Sequence, residues 1–116
     1  LIKLIKQNHP NLKIVIAPGP DEIEKAKKLD AVSILKEDKA ISISELAGLI
    51  KRSKFVVAND TGPAHMAAHL NVKGLSLFGS HTTAYKVSIE RENFKAIQVS
   101  DLKNLSAEKV FERLVL

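Results

Sequence analysis

The run Lys54-Phe55-Val56-Val57-Ala58 is rich in β-branched and aromatic side chains, breaks at Asn59-Asp60-Thr61-Gly62-Pro63, and resumes in helix formers over residues 64–70. This order reads as strand, tight turn, helix. It limits what the chain can fold into, because an apolar strand without polar alternation is buried on both faces, as in a parallel sheet.

The same order recurs along the chain. Residues 12–17 are apolar except for Lys13 and end at Pro18-Gly19-Pro20, which suits a buried strand delivering the chain into a loop. Residues 21–29 carry Ile23, Ala26 and Leu29 at helical spacing, with Asp21 and Glu22 in the first turn, where the helix dipole favours acids. Residues 31–35 are apolar apart from Ser33, and after the polar stretch 36–39 a helix is expected from Ser44, with Leu46, Ala47, Leu49 and Ile50 on its inner face and Ser42 or Ser44 as cap. Two more strands are expected at 74–78 and 96–99, and a last helix at 106–114. Alternating apolar strands and helices predict a Rossmann-like α/β fold: a parallel sheet of about five strands with helices on both faces. Residues 79–93 form the one long irregular stretch, the kind of loop that is functional or mobile in a compact domain.

At 116 residues the chain is read as one domain spanning residues 1–116. An apolar content of 45% with 27% charged residues excludes a disordered chain, and no apolar run approaches the roughly 20 residues needed to span a bilayer. The absence of cysteine excludes disulfides and thiolate metal sites, which fits a reducing compartment. The chain opens in a helical pattern, Leu1-Ile2-Lys3-Leu4-Ile5-Lys6, without an initiator Met or signal peptide, and is read as a piece of a longer protein.

The net charge is +5, but Lys25, Lys27 and Lys28 alternate with Asp21, Glu22 and Glu24. Lys51, Arg52 and Lys54 form the tight basic cluster. Four Phe, one Tyr and no Trp offer no aromatic platform for bases, so nucleic acid is not expected as a partner. The cluster either solvates a helix end, where cations suit the dipole, or draws the protein to an anionic membrane surface.

The turn at 59–65 has two readings. As an anion site it would use the free N–H groups of a helix start beyond a strand's carboxyl end, with Gly62 clearing the approach and Thr61 adding a hydroxyl donor. As a helix start alone it would use Thr61 as cap, Asp60 to complement the dipole, and Gly62 and Pro63 for geometry. Asp60 could also fix the loop or meet a sugar hydroxyl. His65 and His69 stand four apart, the spacing of a zinc pair, but Met66 takes the place of the glutamate such a helix needs, so no metal is expected. His81 and Lys86 in the long loop are either substrate contacts or surface residues.

Asp60-Thr61-Gly62-Pro63-Ala64-His65-Met66-Ala67-Ala68, followed by Leu70-Asn71-Val72-Lys73 and Leu77-Phe78-Gly79, resembles the signature of glycosyltransferase family 9, the ADP-heptose:lipopolysaccharide heptosyltransferases. Gly19-Pro20-Asp21-Glu22 resembles the family's glycine-rich turn ending in an acid, and the resemblance covers nearly the whole chain. It implies the C-terminal, donor-binding half of a GT-B enzyme, with the first strand of that half and the acceptor domain lying before Leu1. It further implies that Thr61, Gly62, Pro63, Ala64 and His65 hold the donor's diphosphate, that His65 faces it or the sugar, and that Asp60 belongs to the same turn. Glu22 would lie near the ribose hydroxyls. The catalytic base would belong to the N-terminal domain, with His65 as the one catalytic candidate here, and the chain alone would be inactive. No cofactor is implied, since ADP-heptose is the substrate. The other partner would be a lipopolysaccharide precursor, met in the cytoplasm or at the inner face of the inner membrane. The stretch Phe78-Gly79-Ser80-His81-Thr82-Thr83 departs from the family's proline and acid-containing loop, so sugar specificity does not carry over. A non-catalytic nucleotide- or sugar-binding module and a Rossmann-like interaction domain are the alternatives. A phosphorylated receiver domain would need an acidic cluster at its strand ends, which is not evident.

Overall fold

The computed structural model describes residues 1–59, 61–79 and 90–114. These fall into two compact units, Leu1–Leu46 and Ala47–Leu116, with the boundary inside one helix.

In the first unit, α1 (Ile2–Asn8) ends at His9, whose extended φ of −135° reflects the following Pro10. Strand β1 (Val15–Ile16) leads through the Pro18-Gly19-Pro20 turn to α2 (Ile23–Lys27), which packs on β2 (Val32–Ser33). β1 and β2 run parallel, with Val15 opposite Val32 and Ile16 opposite Ser33. This is one strand–helix–strand crossover. Both elements are shorter than the sequence pattern predicts. Glu22 stands as N-cap, its N–H donating to the Gly19 carbonyl at 3.0 Å, so Asp21 and Glu22 belong to the turn rather than the helix.

The polar stretch 36–39 is not a loop leading directly to a helix. It is the turn of a hairpin, β3 (Leu35–Lys36) with β4 (Lys39–Ala40), antiparallel, with Leu35 opposite Ala40 and Lys36 opposite Lys39. Glu37 and Asp38 both sit at positive φ, 52° and 63°, as the central pair of a two-residue hairpin turn requires. Neither residue is the asparagine or glycine that signals this turn, so the sequence hides it.

Helix α3 (Ile43–Lys51) begins with reciprocal capping: the Ser42 N–H donates to Glu45 Oε1 at 3.0 Å and the Glu45 N–H donates to Ser42 Oγ at 3.2 Å. Of the two caps the sequence allows, Ser42 is the one used. Hydrogen bonding of the carboxylate by Ser42, through its backbone N–H first and its side chain second, holds the Glu45 carboxyl below its ordinary value.

The second unit is a parallel sheet flanked by helices. Its strands β5 (Val56–Asn59), β6 (Gly74–Phe78) and β7 (Phe94–Gln98) lie in that order, with Val56 opposite Gly74 and Gly74 opposite Phe94. Sequence reasoning expects about five strands in one parallel sheet. The parallel pairing is observed, but among the described residues it divides into this three-stranded sheet and the β1–β2 pair, with β3 and β4 pairing only with each other. Two-residue strands carry too few ladder bonds for their pairing to be read from periodicity.

Leu75, Phe78 and Phe94 are fully buried at the centre. α4 (Gly62–His69) packs on β5 and β6 through Ala64, Ala67 and Ala68, whose small side chains let the helix approach closely. It ends in a Schellman motif: Asn71 adopts φ 58°, the Asn71 N–H donates to Ala68 O, and the Val72 N–H donates to Ala67 O. Gly74 is required sterically, since a Cβ there would lie 2.5 Å from Phe94 Cε2 and 2.6 Å from the Val56 carbonyl oxygen. The chain closes with a 3-10 turn (Leu102–Asn104) and α5 (Ala107–Glu112), capped by Ser106 Oγ accepting from the Lys109 N–H at 3.2 Å.

Candidate functional site

Strand β5 runs out at Asn59, and α4 begins three residues later at the same edge of the sheet where β6 and β7 also end. In parallel sheets this carboxyl edge is where ligands bind. Asp60, His81 and Lys86 lie outside the described residues.

Thr61 is the N-cap of α4, with extended backbone, φ −143° and ψ 173°. Its side chain does not cap the helix. The Thr61 hydroxyl instead donates back to the Asn59 carbonyl at 3.3 Å. The Thr61 carbonyl accepts from the Ala64 N–H at 3.1 Å and the His65 N–H at 3.3 Å, so those two amides are engaged within the first turn. Pro63 has no N–H to satisfy. The Thr61 and Gly62 N–H groups are left exposed, with no acceptor among the described residues. Of the run 61–65 that the resemblance points to, the N–H groups without an acceptor among the described residues are those of Thr61 and Gly62.

Gly62 separates the two readings of this turn. Its φ is not positive, and a Cβ built on it would meet nothing within 4 Å. Neither backbone conformation nor packing requires glycine there, whereas Gly74 shows what a sterically required glycine looks like in this protein. Among the described residues no acid lies in the first turn of α4, where a helix start carries a partial positive charge of about half a unit. The arrangement suits an anion whose oxygens accept from two successive N–H groups.

His65 follows the buried Ala64 and is half-buried, while His69 at the far end of the helix is exposed. Glu22 belongs to the first unit, at the carboxyl-end turn of β1. Its carboxylate folds back over that turn, with Oε1 lying 3.4 Å from where a Cβ of Gly19 would be. Residues 61–65 are thus brought together by one helix start, and Glu22 occupies the corresponding strand-end position of the other unit.

Sequence reasoning missed Ser76. It is the buried polar residue of the core, at 0% exposure on the central strand β6, and its hydroxyl donates to the Asn59 carbonyl at 3.4 Å. A lone serine among Gly74, Leu75, Leu77 and Phe78 was the available signal, but its partner is 17 residues away and visible only once the strands pair.

Apolar parallel strands with a helix packed on them define a Rossmann-like α/β arrangement. The family model for glycosyltransferase family 9 (heptosyltransferase) matches residues 7–114, and the chain belongs to that family, whose enzymes have the GT-B fold. It is 29% identical over 114 residues to lipopolysaccharide heptosyltransferase 1 of Campylobacter coli, an alignment covering 90% of this chain and 33% of that protein. The chain thus spans about one third of the length of this curated relative. No solved structure matches it. Among the described residues no helix is long and apolar enough to cross a membrane.

Proposed function

We propose that this chain is the donor-binding part of a glycosyltransferase that transfers a heptose from ADP-heptose to the inner core of a lipopolysaccharide precursor. One observation carries the reading: the Thr61 and Gly62 amides, at the carboxyl edge of the sheet, have no acceptor among the described residues, within a chain matched to family 9 over residues 7–114. The name of the Campylobacter coli relative supports heptose and lipopolysaccharide as the sugar and acceptor classes.

In this reading the diphosphate of the donor accepts hydrogen bonds from the Thr61 and Gly62 N–H groups, and Pro63 and Ala64 set the course of the helix behind them. By the family resemblance Asp60 belongs to the same motif, His65 faces the diphosphate or the sugar, and Glu22 accepts from the ribose hydroxyls. During transfer the bond between the sugar's anomeric carbon and the diphosphate oxygen breaks, and the acceptor oxygen bonds to that carbon. A base outside this chain takes the acceptor's proton. Negative charge grows on the leaving diphosphate, and N–H donors already fixed in place stabilise it without reorganisation. The donor is a substrate, and no resident cofactor is invoked. Contact with the inner membrane would fall to the exposed Lys51, Arg52 and Lys54.

An NMR titration with ADP tests the assignment. The amide signals of Thr61, Gly62, Ala64 and His65 are expected to move, with the same pattern in the presence of Mg2+ or of EDTA. If those signals stay put while a distant surface shifts, the site is elsewhere.

A further inference from the structure

The central strand β6 is apolar except at Ser76, and that residue is fully buried. A hydroxyl stripped of water and left unpaired destabilises a core, so its presence there calls for a partner. Ser76 has one: its Oγ lies 3.4 Å from the carbonyl oxygen of Asn59, the last residue of β5. The Thr61 hydroxyl donates to the same oxygen at 3.3 Å. Two hydroxyls from different elements thus converge on one carbonyl, two residues before the first exposed amide of α4.

We propose that Ser76 is a positioning residue for donor binding, acting through the Asn59 carbonyl to fix the end of β5 and, through the Thr61 hydroxyl on the same oxygen, the start of α4 that carries the Thr61 and Gly62 N–H groups. The inference rests on the donor reading given above. A hydrogen bond from the sheet is the part of this anchor that does not move with the turn. Thr61 lies in the turn itself, so its hydroxyl alone would let the carbonyl, the hydroxyl and the amides shift as one. Ser76 ties them to the central strand. Fixing donors before the ligand arrives lowers the ordering cost of binding, so the anchor acts on affinity.

The experiment compares the wild-type chain with Ser76→Ala and Ser76→Cys, the latter close in size with a weak S–H donor. ADP affinity and amide hydrogen exchange are measured together. Ser76→Ala is expected to weaken ADP binding about three- to tenfold, the range of one ordinary hydrogen bond. Exchange should quicken at Ala64 and His65, whose N–H groups are bonded to the Thr61 carbonyl, while Leu75, Leu77 and Ile97 keep their protection. Ser76→Cys should fall between the two in affinity. If Ser76→Ala binds ADP as tightly as wild type, or if exchange quickens across β6 and β7 to the same degree as in the turn, Ser76 is a packing residue and the proposal fails. If the wild-type chain shows no ADP effect at Thr61 and Gly62, the donor reading itself falls and takes this one with it. An effect at those amides that survives Ser76→Ala unchanged overturns only the positioning role.

Discussion

Gly62 and Gly74 show how the same residue type answers different demands. Gly74 is pinned between the Phe94 ring and the Val56 carbonyl, so any side chain there forces the strands apart. Gly74→Ala is expected to destabilise the protein by about 1–3 kcal/mol, the usual range for overpacking, as read from a lowered urea midpoint. Gly62 faces open space with ordinary backbone angles, so Gly62→Ala should leave stability within about 0.5 kcal/mol of wild type. In the donor reading the added methyl stands where a phosphate approaches, and ADP-dependent shifts should shrink without loss of fold. A Gly62→Ala variant that binds ADP normally would remove the best argument for a ligand at this turn.

At the scale of elements, helix ends and turns carry the testable chemistry. The Ser42–Glu45 pair closes the start of α3 and keeps the Glu45 carboxyl below its ordinary value of 4.5. A carboxyl whose folded value is depressed contributes stability that is fully present above the unfolded value and is lost as pH falls through the lowered one. Stability should therefore decline as the pH drops below about 4.5, and Glu45→Gln should flatten that part of the urea-midpoint profile. A profile in the variant as steep as in wild type would show that other carboxylates control it. The β3–β4 hairpin makes the opposite case, since Glu37 and Asp38 occupy left-handed backbone at some cost. Asp38→Gly is expected to stabilise the protein by about 0.5–1 kcal/mol, measured by the same denaturation.

Across the whole chain, burial is uneven. The second unit encloses Leu75, Phe78, Phe94, Ala96 and Val110, while among the apolar residues of the first unit Ala26 is buried and Leu29 and Val32 are about half exposed. Local opening is cheapest where few apolar groups are buried. Native-state hydrogen exchange should therefore protect Leu75, Leu77 and Ile97 longer than Val32 and Ile34. Equal protection in both units would contradict this ranking.

How much of this was legible beforehand follows from the range of the forces involved. Strand and helix on either side of the break after Asn59, a serine cap at 42 or 44, the Pro10 stop and the family signature depend on residues a few positions apart, and the chain states them directly. The candidate site was legible as a motif for the same reason, since Thr61, Gly62, Pro63, Ala64 and His65 are consecutive. Pairing is not local. Strand order β5-β6-β7, the steric need for Gly74 and the link from Ser76 to Asn59 arise only when segments 17 or more residues apart meet in register. The same holds for the Thr61 hydroxyl in a subtler way: sequence rules assign it to cap α4, but in the folded turn it donates to the Asn59 carbonyl, and the amides of residues 61 and 62 are the ones left without an acceptor among the described residues. The sequence by itself determined which residues stand at the strand-to-helix turn, because local propensity and spacing suffice for that. Only the tertiary structure decided which of their hydrogen-bonding groups remain available, because every buried donor is claimed first by whatever acceptor packing brings within reach.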